Sequence, residues 1–200
     1  MKAMTWWDHG TGSIWSQPWG TAIAGDRLGT SLLLIPATTV PWETWVADHP
    51  DTTVLADLLR GRRHEITLAR SMLVVGVALG EDASAYPFDV ADAERVLNDR
   101  IGEFPIAVFS DAESLDIRVY LRRPILDAAG DAVPAEIEFV LDDDGRIVDS
   151  ETGSVWDIAR GVAIRGPLRG AVLQQVPYVT AFPWAWRDFF PHSTFYGDEG

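Results

Sequence analysis

The chain has 200 residues, 47% hydrophobic and 23% charged, which is typical of a folded domain rather than a disordered chain. Its formal net charge of −14 at pH 7 indicates no nucleic-acid partner, because phosphate backbones attract clustered Lys and Arg. No cysteine is present, which excludes disulfides, thiolate nucleophiles and metal sites with cysteine ligands.

The first quarter of the chain predicts short strands, tight turns and one helix. Glycines separate short apolar pieces in residues 5–36, a pattern typical of brief strands. Ser31–Ile35 is predicted to be a buried strand, and Asp51–Leu55 another short strand. Pro41–Ala47 is predicted to be a helix, because proline opens it and a glutamate lies in its first turn. The basic, polar stretch Leu58–His64 is predicted to connect this first part of the chain to the rest.

The middle of the chain carries strand and helix patterns. Met72–Leu79 is rich in β-branched residues and predicts a strand. An apolar stripe at helical spacing follows Asp89, so Asp89–Ile101 is predicted to be a helix that Gly102 ends. Pro105–Ser110 and Asp116–Arg122 predict strands, and the second of these alternates between apolar and polar residues.

The last part of the chain before residue 150 returns to short strands. Ala128–Pro134 is predicted to be a loop, and Glu136–Leu141 alternates as a strand does. Asp144-Gly145 is a strong hairpin signal, with Arg146–Asp149 as the returning strand. The predicted fold class is α+β, predominantly short β-strands with two or three short helices.

The sequence predicts neither a membrane helix nor a signal peptide. Its longest apolar run, residues 72–79, is shorter than the roughly 18 residues that a membrane helix needs. Met1 and Lys2 lead into a tryptophan pair without the apolar segment of a signal peptide. We therefore expect a soluble protein with no membrane partner, while the composition leaves its cellular compartment open.

A cassette of 48 residues occurs twice, in Asp8–Leu55 and in Asp149–Tyr196. A shift of 141 positions aligns the two without a gap and makes 16 of the 48 positions identical. Chance would give roughly one identity in sixteen positions for average composition. The identical residues are mostly glycine, proline, tryptophan and small apolar types, which indicates a packing unit duplicated within the chain.

Several motifs stand in order along the chain: Trp7–Ser13, Gly20–Gly25, Trp45 with His49-Pro50-Asp51, Val74–Val77, Ala85–Pro87 and Val96–Ile101. Together they resemble domain-of-unknown-function family 3179, which is found in bacterial and archaeal proteins. The resemblance implies a near-complete copy in residues 70–197 and the later half of a preceding copy in residues 5–55. We therefore divide the chain into residues 1–60 and residues 61–200, within one compact globular unit.

One departure from the family pattern limits what the resemblance implies. Typical members carry a cysteine pair of the Cys-Pro-x-Cys kind just after the strand that matches Pro105–Phe109. Here the corresponding residues are Ser110–Glu113. A thiol or soft-metal role cannot be carried over, and the resemblance implies architecture rather than chemistry.

The shared Thr-Gly-Ser-x-Trp motif contains Ser13 in the first cassette and Ser154 in the second. Each serine is a candidate nucleophile, and the backbone amides around it are candidates for binding an anion. A nucleophilic serine needs a base within hydrogen-bond reach, and neither a G-x-S-x-G elbow nor a phosphate-loop spacing is present. The alternative is a tight turn in which both serines bond to local backbone.

A metal site is not expected from the histidines or from the acidic turn. None of the four histidines is shared between the cassettes, and a metal needs several ligands that converge. Asp142-Asp143-Asp144-Gly145 resembles a calcium loop in spacing, but the first ligand position is Val140, which cannot coordinate. We expect no metal and no cofactor.

Two further groups of residues are candidate sites. Asn98, Asp99 and Arg100, at the end of the predicted helix, form a candidate polar cluster, and the alternative for them is ordinary helix capping. Tyr86, beside Pro87, is a separate candidate of the same kind. Aromatic side chains are candidates for a groove that binds a flat ligand, and the alternative for them is core packing. The candidate groove aromatics are Trp15, Trp42, Trp45, Trp156, Trp184 and Trp186.

The sequence favours a binding or structural module that takes a small-molecule or carbohydrate ligand. The alternative function is a hydrolase-type enzyme that uses polar residues of the cassette loops. Because the first copy lacks its earlier half, its core could be completed by the second cassette or by another chain, and a homodimer is therefore one expected partner arrangement.

Overall fold

The computed structural model describes residues 4–38, 40–53, 70–114, 116–126 and 133–198. In these ranges fourteen short strands form four small sheets, and three α-helices accompany them, so the fold class is α+β. The predicted connector Leu58–His64 lies outside the described residues. None of the described helices is long and apolar enough to span a membrane.

The first cassette folds into a small antiparallel sheet followed by a helix. Its elements are β2 (Ile14–Ser16), β3 (Thr21–Ala24) and α1 (Trp42–Asp48), and β1 (Thr5–Trp7), just before the cassette, joins the same sheet. The helix predicted at Pro41–Ala47 is confirmed: the fixed φ of Pro41 suits a helix start, and the Trp45 N–H donates to the Pro41 carbonyl oxygen at 3.0 Å. Residues 51–53 form no strand, and the rest of the predicted strand Asp51–Leu55 lies outside the described residues.

The buried strand predicted at Ser31–Ile35 is wrong. Ser31 forms one isolated bridge with Thr21, and the four apolar residues after it are exposed. Leu33 is 88% exposed and Ile35 is 76% exposed. An apolar run is buried only where another surface covers it, and among the described residues none covers this one.

Residues 70–114 and 116–121 form the centre of the fold, which we call the scaffold. Its elements are β4 (Val74–Leu79), β5 (Asp82–Pro87), α2 (Phe88–Glu94), β6 (Val96–Ile101), β7 (Phe104–Asp111) and β8 (Asp116–Leu121). β4 and β5 form an antiparallel hairpin, and β6, β7 and β8 form an antiparallel sheet in chain order. The strands predicted at Met72–Leu79, Pro105–Ser110 and Asp116–Arg122 are confirmed, whereas β5 was not predicted.

The long helix predicted at Asp89–Ile101 is wrong, because this stretch is a short helix followed by a strand. α2 ends at Glu94, and Arg95 takes a left-handed conformation with φ of 65°. β6 then pairs with β7 along its whole length. Leu97 and Ile101 are 1% and 2% exposed, and their spacing of four places them on one face of a strand as well as of a helix.

The second cassette and the strands before it complete the fold. Their elements are β9 (Phe139–Leu141), β10 (Ile147–Asp149), β11 (Val155–Asp157), β12 (Val162–Arg165), β13 (Val179–Ala181), α3 (Pro183–Phe189) and β14 (Thr194–Phe195). The returning strand at Arg146–Asp149 and the turn at Asp144-Gly145 are confirmed, and Glu136–Leu141 is a strand in its second half only. In the predicted loop Ala128–Pro134 the last two residues are described, and they form no helix or strand.

The second cassette pairs with both strands of the scaffold hairpin. β13 is antiparallel to β4 and β14 is parallel to β5, which gives the sheet order β13-β4-β5-β14. The Trp186 ring of α3 packs on Gly76, where a Cβ would lie 2.3 Å from two ring carbons. Neither hairpin strand is therefore left at an edge of this sheet.

Three buried clusters hold these layers together. The largest lies between the hairpin and the β6–β8 sheet and contains Val75 and Val108. The second joins β7 and β8 to the sheet of β9–β12, where Phe139 makes edge contacts with Phe109 and Trp156. The third surrounds the indole ring of α3.

Replacing Gly76 by valine is expected to destabilise the protein by about 1–3 kcal/mol, the cost of overpacking a well-packed core. The reason is the close approach of the Trp186 ring, and denaturant unfolding followed by circular dichroism measures the loss. Ala78→Val is the matched control, because Ala78 lies exposed on the same strand. Equal stability of the two variants would contradict the packing of Trp186 on Gly76.

Candidate functional site

The repeated Thr-Gly-Ser turn is a hydrogen-bonded clasp. In the second cassette Ser154 is 0% exposed, and its Oγ accepts a hydrogen bond from the Leu168 N–H at 2.9 Å. The Thr152 hydroxyl lies 2.7 Å from Ser154 Oγ and donates to Asp149 Oδ1 at 2.7 Å. The partners of Ser154 all lie within the cassette and none is a base, so this geometry favours a structural turn over a nucleophile.

The first cassette repeats this clasp at the equivalent positions. Ser13 is also 0% exposed, and its Oγ accepts from the Arg27 N–H at 3.0 Å. A Cβ on Gly25 would lie 2.6 Å from Ser13 Cα, and one on Gly166 would lie 2.7 Å from Ser154 Cα. Both glycines have positive φ, 89° and 97°, so the clasp needs glycine at this position in each cassette.

The candidate groove tryptophans differ in exposure. Trp156 and Trp186 are buried, at 4% and 2% exposed, and lie in the core. The Trp156 Nε1–H donates to Asp149 Oδ2 at 2.9 Å, and Trp15 is half-buried. The exposed members are Trp42, Trp45 and Trp184, at 57%, 41% and 61%.

Asn98 and Asp99 lie on β6 rather than at a helix end. The Asn98 Nδ2 donates to the Phe139 carbonyl oxygen at 2.8 Å, and the Phe139 N–H donates to Asn98 Oδ1 at 2.9 Å. This pair of bonds imitates a strand ladder and ties β6 to β9. Tyr86 is 0% exposed and donates its hydroxyl to Asp99 Oδ2 at 2.7 Å. The structure thus joins Tyr86 to Asp99, and it engages Asn98 with backbone.

A groove of about 900 Å³ lies between the first cassette, β8 and the second cassette. We call it the groove. The first cassette lines it with nine residues between Pro36 and His49, among them Trp45, and β8 lines it with Asp116 and Arg118. The second cassette contributes Asp157 and Arg160. The groove therefore combines the exposed rings of Trp45 and His49 with charged side chains of both signs.

An ion pair of β8 lies in the wall of the groove. The Arg118 Nε donates to both carboxylate oxygens of Asp116 at 3.0 Å, and its Nη1 donates to Thr38 Oγ1 at 3.1 Å. Burial raises the pKa of the Asp116 carboxyl, although the charge and hydrogen bond of Arg118 act to lower it. The Gln175 Nε2 donates to the same Thr38 hydroxyl at 2.8 Å, so Thr38 links the first cassette to the rest of the groove.

Sequence reasoning did not single out Asp116 and Arg118. The alternation that predicts β8 places both on the face opposite Ile117 and Val119, which are core residues. Polar residues at alternate positions of a strand are a weak signal, because most of them face solvent. What distinguishes this pair is the approach of Thr38, which is distant in sequence.

A second cavity of about 310 Å³ adjoins the groove and shares four lining residues with it, Ser114, Asp116, Arg118 and Ala159. Ser110 and Asp111 line it, and they are among the residues in the place where the resemblance implies a cysteine motif. Hydrogen bonds from the Ser114 hydroxyl and the Glu113 N–H lower the pKa of the Asp111 carboxyl.

Ser110 belongs to a polar network that joins three elements. The Arg70 Nη2 donates to Ser110 Oγ at 2.9 Å and to Asp92 Oδ1 at 3.0 Å. The Ser110 hydroxyl also donates to the Asp92 carboxylate. The Arg70 guanidinium lies 4.4 Å from the centroid of the Phe88 ring. These contacts tie the short 3₁₀ turn at Arg70–Met72 and α2 to β7.

The three histidines that the structure describes each lie near an aromatic ring of their own part of the chain. His9 lies against Trp7 with ring centroids 4.3 Å apart, and His49 lies against Trp45 at 4.0 Å. His64 lies outside the described residues. In the described part of the chain no three or more His, Asp or Glu side chains are grouped so that they could hold a metal ion.

The acidic turn before β10 is held by its own side chains. Asp142 Oδ1 accepts from the backbone N–H groups of Asp144 at 3.0 Å and Arg146 at 2.8 Å. The Arg146 guanidinium pairs with Asp142 Oδ2 at 2.7 Å. These bonds are those of a hairpin turn.

Alkaline pH is expected to destabilise the protein through Tyr86. Burial and the adjacent Asp99 carboxylate raise the pKa of the Tyr86 phenol above its ordinary value of 10.0. The phenol ionises near its ordinary pKa in the unfolded chain, so the stability present below about pH 10 is lost as the pH rises further. Unfolding free energies across this range measure the loss.

Tyr86→Phe is expected to flatten this alkaline loss, although it also removes the hydrogen bond to Asp99. Tyr196→Phe is the control, because Tyr196 is only partly buried and its removal should leave most of the alkaline loss in place. An identical alkaline loss in the wild-type protein and in Tyr86→Phe would show that another group is responsible.

Comparison with known proteins identifies the family. The family model described as protein of unknown function (DUF3179) matches the chain twice, over residues 1–64 and over residues 58–193. No match was found among the curated proteins or among the solved structures. The second match covers more than half of the chain, including the scaffold and most of the second cassette. The chain therefore belongs to the DUF3179 family, with one near-complete copy and part of a preceding one.

Proposed function

We propose that the chain is a binding module whose groove takes an uncharged polar ligand, and that a carbohydrate is the chemical class that fits it. The observation that carries this proposal is the groove of about 900 Å³, which contains an exposed tryptophan and the partly buried ion pair of Asp116 and Arg118. Small-molecule sites are cavities of roughly 300–1,000 Å³ lined by apolar surface and a few placed polar groups. The groove has that size and that mixture of side chains.

The charges of the groove favour a ligand without net charge. Asp116 pairs with Arg118 at 3.0 Å, and Asp157 pairs with Arg160 at 3.8 Å. Because each pair is internally balanced, neither sign of charge dominates, and Asp48 adds one further carboxylate. Paired carboxylates and guanidinium groups still offer acceptors and donors in fixed directions, which suits a ligand with several hydroxyl groups.

Trp45 supplies the flat apolar surface that a sugar ring needs. Its indole is 41% exposed, its Nε1–H donates to Thr52 Oγ1 at 3.0 Å, and its ring lies against His49. These contacts hold the ring before a ligand arrives, which reduces the conformational entropy lost on binding. The apolar face of a sugar ring can then cover the free part of the indole.

A hydrolase is the second candidate function, and Asp116 favours it. Burial raises the pKa of this carboxyl, and carboxyl groups with a raised pKa in a cleft are candidates for proton transfer. Asp157 and His49 line the same groove and come from the two cassettes. In this alternative the groove hydrolyses the ligand that it binds.

We also infer that the two cassettes arose by duplication, and that the chain divides into residues 1–60 and residues 61–200. Similar elements at equivalent positions support this inference: β2 and β11 have three residues each, β3 and β12 have four, and α1 and α3 have seven. The same clasp of threonine, glycine and serine occurs in both. The two family matches, which overlap near residue 60, support the division.

Trp45→Ala is expected to weaken binding of a neutral oligosaccharide about tenfold or more, which corresponds to about 1.4 kcal/mol. A panel of immobilised neutral and charged oligosaccharides identifies the ligand, and titration calorimetry of the full chain measures the affinity. Trp42→Ala is the matched control, because Trp42 lies on the same helix, is 57% exposed and does not line the groove.

An equal loss of affinity in Trp42→Ala would move the binding surface away from the groove. Binding of charged oligosaccharides alone would contradict the neutral ligand class. Failure of the whole panel to bind would remove the carbohydrate proposal.

Asp116→Asn separates binding from hydrolysis, because it keeps the shape of the side chain and removes its titrating carboxyl. For a binding module we expect the ligand to be recovered unchanged from the wild-type protein by mass spectrometry. We expect Asp116→Asn to lower its affinity less than Trp45→Ala does. Cleavage of the ligand by the wild-type protein but not by Asp116→Asn would make the hydrolase the correct function.

A further inference from the structure

The two cassettes share their fold but differ in their surroundings. Side chains buried in the second cassette have exposed counterparts 141 positions earlier in the first. The pairs are Trp186 and Trp45, at 2% and 41% exposed, Leu173 and Leu32, at 7% and 49%, and Val176 and Ile35, at 3% and 76%. Among the described residues, the apolar face that is packed in one cassette is therefore open in the other.

The scaffold is what covers this face in the second cassette. Trp186 packs on Gly76 of β4, and β13 pairs with the same strand. On the other side of the hairpin β14 pairs with β5, where the hydroxyl oxygens of Ser84 and Thr194 lie 2.7 Å apart. The second cassette thus reaches both strands of the hairpin.

The first cassette keeps the central contact group of this interface. Trp45 stands at the position of Trp186, and each indole has a ring stacked on it from one turn further along. The centroid distance is 4.0 Å to His49 in the first cassette and 4.2 Å to Phe190 in the second. Both cassettes therefore contain the anchor, which is the indole of Trp45 or Trp186, and a second aromatic ring that packs against it.

The backbone that presents these side chains also has the same hydrogen bonds in both cassettes. The Leu32 N–H donates to the Gly20 carbonyl oxygen at 2.8 Å, and the Leu173 N–H donates to the Gly161 carbonyl oxygen at 2.8 Å. α1 and α3 are helices of seven residues at equivalent positions. The first cassette thus has the backbone shape that packs on the scaffold in the second cassette. Among the described residues, no scaffold covers the apolar face of the first cassette.

We propose that the first cassette docks on the scaffold of a second copy of this chain, in the place of that copy's second cassette. A second copy is the partner because its scaffold is the surface that these side chains already fit in this chain. Exchange of equivalent elements is a low-cost route to association, since the contacts that form resemble those that break. The two cassettes compete for one scaffold, so the difference between their free energies of packing on it sets how much exchanged dimer is present.

Docking goes beyond ligand binding in the groove and is coupled to it. Trp45 lines the groove in the undocked cassette, whereas docking places its ring on Gly76 of the second copy. One indole cannot serve both surfaces at once. A ligand in the groove therefore favours the undocked monomer, and docking weakens ligand binding by the same factor.

Disulfide trapping in the full chain tests the docking, because the protein has no cysteine of its own. Thr53 is equivalent to Thr194, so Thr53→Cys with Ser84→Cys brings two thiols together when the first cassette occupies a scaffold. Thr194→Cys with Ser84→Cys is the positive control, since those side chains already touch. Glu43→Cys with Ser84→Cys measures random collision, because Glu43 is exposed on α1 and its counterpart Trp184 is also exposed.

In a thiol–disulfide buffer we expect the Thr53–Ser84 pair to accumulate as a disulfide-linked dimer above the level of the Glu43 control. Trp186→Ala weakens the competing second cassette and should raise the dimer yield. Trp45→Ala removes the anchor and should lower the yield to that of the control. The Thr53–Ser84 pair without further substitutions decides the result even where Trp186→Ala does not fold.

A cross-linked monomer would overturn the second copy as the partner, because the cassette would then occupy the scaffold of its own chain. Cross-linking no greater than in the Glu43 control, while the Thr194 control closes, would overturn the docking altogether. Ligand binding is measured on the cysteine-free chain, so the two proposals stand or fall separately.

Discussion

The fold depends on the contact between one indole ring and a strand position that has no side chain. Trp186 lies on Gly76 so closely that a Cβ there would be 2.3 Å from the ring. Hydrophobic burial has no direction of its own, so a large ring seated on a glycine is what defines where the second cassette meets the hairpin. With that position set, β13 and β14 pair with the two hairpin strands, and residues far apart in the chain share one four-stranded sheet.

Local patterns predicted most strands of the scaffold and were wrong where two explanations of the same residues compete. Leu97 and Ile101 are four positions apart, which suits one face of a helix and one face of a strand equally. The left-handed conformation of Arg95 is what ends the helix before the strand begins. A glycine at this position would have predicted such a helix end, whereas an arginine does not. The prediction of a buried strand at Ser31–Ile35 was wrong for another reason. An apolar run predicts burial, but whether a surface covers the run depends on the rest of the chain.

The candidate site was harder to predict than the fold, because its residues come from three separate parts of the chain. The sequence predicts Trp45 as a candidate groove aromatic, because aromatic faces bind flat ligands, with core packing as the alternative. Asp116 and Arg118 carry no motif, and their position in the groove depends on Thr38, about eighty residues away in the sequence. Ser154 shows the opposite case: a conspicuous repeated motif whose hydroxyl bonds within its own cassette.

The clasp explains how the first cassette can keep its shape while its apolar face is open. Ser13 satisfies the Arg27 N–H inside the cassette, so the turn does not need the scaffold to complete its hydrogen bonds. The substitutions between the cassettes follow the same logic, since His49 stands in the first cassette at the position of Phe190 in the second. An imidazole packs against the indole as a phenyl ring does, but exposing it to water costs less free energy because it is more polar. The turn of the first cassette is thus held by bonds within the cassette, and the Trp45 indole remains 41% exposed.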